Sequence, residues 1–164
     1  MKKGLLLSLF TLMIPMQVHA ATFLFPSEAP IASITIPDSW EPKETESGVD
    51  ATSEDAAVYF SADIADLNSI EKVTSDAVDF LQKNDVIIDE KSAKETAVEE
   101  VNGLKMTTID WDGKDKDGPV SIGLAFIQIS DTKALVATYW GSKGEEEKHS
   151  DDVVKILASI KPAK

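Results

Sequence analysis

Apolar positions are densest over residues 101–141, where three apolar runs are joined by two short polar turns. Consecutive apolar runs linked by tight turns predict an antiparallel meander, because parallel strands would need a long crossover. In the middle run Val120, Ile122, Leu124 and Phe126 share one face, while Ala125, Ile127 and Ile129 share the other. Its neighbour places Leu135, Ala137 and Tyr139 opposite Val136, Thr138 and Trp140. Neither strand has a face suited to water, so the sheet should be covered on both sides here.

The remaining elements follow from similar patterns. Ala21 to Ser33, with Pro26 and Pro30, reads as an irregular lead-in to a strand over Ile31 to Ile36, which Pro37-Asp38 ends. Glu41 to Glu54 is acidic and without apolar periodicity, and reads as the loosest part of the domain, a loop with a short strand near Gly48–Thr52. Ala57 to Ile64 alternates, with Val58, Phe60, Ala62 and Ile64 inward and Tyr59, Ser61 and Asp63 toward water, the pattern of a strand near a sheet edge. Asn68 and Glu71 have capping-box spacing, and Val73, Ala77, Phe80 and Leu81 form the stripe of a helix from about Ser69 to Lys83.

Val86 to Asp89 reads as a short strand. Asn102-Gly103 between Val101 and Leu104 predicts a two-residue hairpin, since both turn positions need positive φ. After Trp140, Ser142 and Glu145 repeat the capping spacing, and Val153, Ile156, Leu157 and Ile160 predict a last helix closed by Lys161-Pro162.

Residues 1–20 carry a different pattern. Lys2 and Lys3 precede an apolar run from Leu5 to Ile14 and a small-residue site at Val18-His19-Ala20, as in a cleaved export signal. The run is too short before Pro15 to span a bilayer. Residues 21–164 then form one domain, periplasmic or secreted, with no stable membrane insertion expected after cleavage. The chain has no cysteine, which removes thiol chemistry and Cys-ligated metals. Its net charge of −13, with no arginine, disfavours nucleic acid and phosphate ligands.

Chemistry is sparse. The run Asp110-Trp111-Asp112-Gly113-Lys114-Asp115-Lys116-Asp117-Gly118 is the sharpest local feature. Asp110, Asp112, Asp115 and Asp117 could offer oxygens to calcium. Their spacing departs from the EF-hand pattern, however, and two lysines interrupt them, so the run reads first as a turn and no metal is expected. His149 is the single histidine after the leader, and a hydrolase would have to recruit it with Ser150, Asp151 or Asp152. No nucleophile elbow accompanies it, and it reads as a solvated helix residue. Of the three tryptophans, Trp140 reads as core, and Trp111, beside the acidic turn, as an interface residue.

In the order of its elements the chain resembles the bacterial DcrB-like and PsbP-like domain families. The resemblance rests on IPDSW (36–40), VNGL (101–104), YWGSKGEEE (139–147) and VVKILASIKP (153–162), and spans most of residues 21–164. It implies an α+β fold, an antiparallel sheet with helices on its faces in an α/β/α sandwich. Members of such folds bind partners: PsbP relatives dock on photosystem II, another binds the GTPase Ran, and cytoplasmic bacterial members serve secreted effectors. The export signal separates this chain from the cytoplasmic group. The expectation is a non-enzymatic module without cofactor that binds a protein partner in the cell envelope, through Trp111, Asp112, Asp115 and Asp117.

Overall fold

A computed structural model describes residues 19–163. In chain order it contains β1 (Ala20–Phe25), β2 (Ala32–Pro37), β3 (Lys43–Glu44), β4 (Gly48–Thr52), β5 (Val58–Asp66), α1 (Ile70–Lys83), β6 (Ile87–Ile88), β7 (Lys94–Glu95), β8 (Glu99–Val101), β9 (Leu104–Lys114), β10 (Pro119–Gln128), β11 (Lys133–Ser142), α2 (Ser150–Ala158) and β12 (Lys161–Pro162). The class is α+β, mostly antiparallel sheet with two α-helices. The segment read as an export signal lies outside the described residues as far as residue 18, and β1 begins at Ala20.

The expected meander is the centre of the main sheet, ordered β3-β4-β5-β11-β10-β9. The far edge of β9 is shared in turn by β8, β7 and β6, so one long strand is capped by three short ones. Asn102 and Gly103 take φ of 51° and 78°, the geometry that the Asn-Gly pair implies for the hairpin. A second sheet, β1-β2-β12, has its own hydrogen-bond ladder and packs on the main sheet through Ile34 and Ile36.

Strand alternation divides the core in two. Phe60, Ala62, Leu135, Ala137, Ala125 and Ile127 pack with Ile34 and Ile36 of β2 and with Ile156 of α2 and Ile160 just beyond it. The intervening residues face α1: Leu81 packs with Val86, Val120 and Ile122, while Val73 and Ala77 pack against Ala65, Leu124 and Val136. Seven strand positions at about 4.8 Å make a sheet about 29 Å wide, against about 10 Å for one helix, so α1 can shield only its middle. Strips over β4–β5 and over β9–β6 are left beside it.

Several expectations are corrected. The lead-in contains β1, which pairs with β2 from Ala20↔Pro37 to Phe25↔Ala32; its prolines fall after the strand. In the acidic stretch after Trp40 the expected strand over Gly48–Thr52 is present, but the residues before it are not all loop: β3 pairs with it as a hairpin, and Val49 at 0% and Ala51 at 2% exposure face the core while Asp50 faces the other way. Consequently β5 is interior, between β4 and β11. Ser69, not Asn68, precedes α1, and its hydroxyl donates to the Asp66 carbonyl. Ser142 belongs to β11; a turn and a 3-10 segment, Glu146–His149, delay α2 to Ser150.

Candidate functional site

The strip over β4–β5 is the floor of a groove of about 450 Å³. Strand register arranges that floor as a grid. Ser61 stands between Asp50 on β4 and Thr138 on β11, and Asp63 follows between Gly48 and Val136. Opposed residues on one face sit about 5 Å apart at Cβ, so Asp50, Ser61 and Thr138 form a polar row across three strands. Val73, Ala77 and Phe80 of α1 supply the wall. The groove ends at stacked rings: Tyr59 lies 4.5 Å from Trp140 and 5.4 Å from Phe80, centroid to centroid.

Gly48 is required at the edge of this floor, since a Cβ there would overlap the Ala62 carbonyl. The neighbouring Ser47 donates to Asp63 Oδ1 at 2.6 Å. Burial raises the Asp63 carboxyl above its ordinary pKa, with the Ser47 hydrogen bond opposing and the charge of Asp50 adding to the rise. The Tyr59 phenol is pushed up to about 12 by burial, with Asp50 adding to it. Among the described residues nothing pairs with the Asp50 carboxylate or the Thr138 hydroxyl, although Thr138 is only 4% exposed. No lysine lines the groove; Asp76 at its rim is paired with Lys72.

Of the residues singled out in the sequence, Asp115 and Asp117 line one cavity with Tyr59, Phe80 and Trp140, whereas Trp111 and Asp112 lie elsewhere, on opposite faces of β9. Trp111 faces α1, half-buried over a cleft of about 510 Å³ on the opposite side of that helix, with Val78, Ile87 and Ile88. Asp112 points to the other face of β9 and meets Lys143 Nζ at 2.7 Å; this hydrogen bond and charge lower its pKa. Asp110 accepts from the Tyr139 hydroxyl at 2.7 Å. Asp115 accepts from the amides of Asp117 and Gly118 at 2.8 and 3.0 Å, the side-chain turn that Asp favours. Asp117 and Lys116 lie 4.0 Å apart. The four carboxylates therefore serve separate partners and do not converge on one point. No group of three or more candidate metal ligands occurs among the described residues.

His149 is not a solvated residue. It packs edge-on to the buried Trp40, with centroids 5.7 Å apart, and its Nε2 lies 2.9 Å from Asp55 Oδ1. Asp55 also accepts from Ser53 Oγ at 2.8 Å and the Ala57 amide at 3.1 Å. The hydrogen bond with His149 first, then these two, hold its carboxyl far below the ordinary range. The order along this chain is serine, aspartate, histidine. A hydrolytic relay needs histidine between the other two, taking the serine proton. Ser150, beside His149 in sequence, donates instead to the Glu147 carbonyl. Sequence reasoning placed Tyr59, Ser61 and Asp63 on a wet face but missed Asp50 and Thr138, which only strand pairing brings to them.

No protein-family model matches the chain, and no curated protein matches it. Solved structures do. The solution structure of cyanobacterial PsbP (CyanoP) from Synechocystis sp. PCC 6803 has a TM-score of 0.58 at 10% identity, over 98% of this chain and 100% of that one. LpqN of Mycobacterium tuberculosis, involved in cell envelope biogenesis, has a TM-score of 0.55 at 9% identity, over 90% and 92%. A protein from Bacteroides thetaiotaomicron VPI-5482 has a TM-score of 0.57 at 16% identity; the match covers 87% of this chain but only 48% of that one. The fold is PsbP-like. No helix among the described residues is long and apolar enough to cross a membrane.

Proposed function

We propose that this protein is an exported, non-enzymatic binding module of the cell envelope, periplasmic or secreted, which recognises a protein partner on the α1 face of its main sheet. The observation that carries the reading is the incomplete cover of that face. One cleft holds Trp111, the other holds the Asp50–Ser61–Thr138 row and the Tyr59–Phe80 rings. Clefts with apolar walls and a few placed polar groups are the usual form of a recognition site.

Export is supported by the leader pattern in residues 1–20. An envelope role is supported by likeness to LpqN. The α/β/α sandwich is supported by α1 on one face of the sheet and α2, with β2, on the other. The arrangement around His149, where serine addresses aspartate, supports a role without catalysis.

Crosslinking in the native compartment tests the reading. A photoreactive side chain at Phe80 or Trp111 should give a discrete adduct, and one at the exposed Val154 of α2 should not. Trp111→Ala should weaken recovery of the same partner. Adducts from Val154 alone, or none from the α1 face, contradict it.

A further inference from the structure

The groove over β4–β5 combines three features that define a ligand chemistry. First, its floor is acidic: Lys43 on β3 stands opposite Asp50 in the same cross-strand row but forms no ion pair with it. The Asp50 carboxylate has no partner among the described residues, Asp63 retains an oxygen beyond the one Ser47 engages, and no lysine lines the walls. Second, Thr138, 4% exposed, lines the floor with a hydroxyl that no described residue engages. That hydroxyl opens on the groove, where a ligand can supply the partner that the fold does not. Third, Val73, Ala77 and Phe80 form an apolar wall above these acceptors.

We infer that the groove receives a lysine side chain presented by the partner polypeptide, the ammonium over the Asp50–Ser61–Thr138 row and the methylene stem along α1. An ammonium carries three donors around one point and no acceptor. It matches two carboxylates and a hydroxyl on neighbouring strands, while the stem takes the wall. The volume of about 450 Å³ leaves room for flanking backbone around one stem. The net charge of −13 attracts a basic polypeptide over a distance. An anionic ligand would be repelled by Asp50 and Asp63. This inference rests on the groove's being a recognition site and adds what it recognises.

Calorimetry with the purified protein at low ionic strength tests it, with Nα-acetyl-lysine N-methylamide as probe. The norleucine counterpart, which keeps the stem and lacks the ammonium, should bind about tenfold more weakly or not at all. Thr138→Val and Asp50→Asn should each weaken lysine binding about tenfold, while Asp151→Asn, at the start of α2, leaves it unchanged. Thr138→Val should not lower Tm, since the hydroxyl it removes has no partner among the described residues; a threonine whose hydroxyl held the fold together would show the reverse. Equal binding of lysine and norleucine probes overturns the inference, as does binding that neither groove substitution alters. Binding of cadaverine without binding of the lysine amide overturns it in favour of a small-amine site. Should crosslinking from Phe80 succeed while the lysine probe fails, the groove is a recognition site and the assignment to lysine is wrong.

Discussion

The ring of Tyr139 on β11 lies across Gly123 on β10, where a Cβ would overlap the ring itself. Asp110 on β9 is the next residue in the same cross-strand row, and the Tyr139 hydroxyl reaches it at 2.7 Å. Glycine thus lets one side chain span three strands. It also explains why Asp110, eligible in the sequence as a cation ligand, is already engaged.

Gly123→Ala should therefore displace the ring and cost about 1–3 kcal/mol, as overpacking does. Tyr139→Phe, which keeps the ring and leaves a half-buried carboxylate short of one donor, should cost about 1–3 kcal/mol. Denaturant unfolding measures both. The double variant should cost less than the two singles summed, because the first change already breaks the bond that the second removes.

Alkaline pH should destabilise the fold through its tyrosines. Tyr59 is raised to about 12 and Tyr139 is raised further, both chiefly by burial. A raised folded pKa means that the unfolded chain releases its proton first. The stabilisation is complete below the unfolded value near 10 and is lost as pH climbs through the folded values. The chain has two tyrosines, so phenolate absorbance reports these groups alone. Its rise should coincide with loss of the near-ultraviolet circular dichroism signal; a rise near pH 10 in folded protein would contradict the burial argument.

Acid should act through Asp55. Its lowered folded pKa stabilises the fold above the unfolded value near 3.8, and this contribution disappears as pH falls below it. Asp55→Asn should flatten the acid limb of the stability curve measured by denaturant unfolding. An unchanged slope would show that the His149–Asp55 contact contributes nothing to pH dependence.

Asn102 does two jobs. Its φ of 51° forms the hairpin turn, and its Nδ2 donates to the Ala158 and Ile160 carbonyls at 2.7 and 2.8 Å, closing the end of α2. Asn102→Gly keeps the turn and loses the cap, at a cost of about 1 kcal/mol. Asn102→Ala loses both and should cost about 2 kcal/mol or more. Equal Tm values for the two variants would mean that the backbone conformation contributes nothing.

These cases mark what the sequence could express. Strand alternation in Val120–Ile127 and the Asn-Gly turn are local patterns, and both were legible. The helical stripe of Val73, Ala77 and Leu81 was legible too, because it repeats within one element. The reach of Asn102 to α2, over 58 positions to Ile160, leaves no local trace. The groove is hidden for the same reason. Asp50, Ser61 and Thr138 belong to three strands, and only their register aligns them. In the hairpin after Trp40 the strand Gly48–Thr52 was legible but its two-residue partner Lys43–Glu44 was not, and β1 was masked by its nearness to the leader and to prolines that lie beyond it.

The most direct test of the groove as recognition site is a backbone-amide NMR titration of the purified protein with Nα-acetyl-lysine N-methylamide. Saturable shifts confined to Asp50, Ser61, Asp63, Phe80 and Thr138 are expected, with saturation moved to about tenfold higher probe concentration in Asp50→Asn. Shifts that fail to saturate and scatter over the acidic surface, including Glu99, Glu100 and Glu145–Glu147, would contradict it.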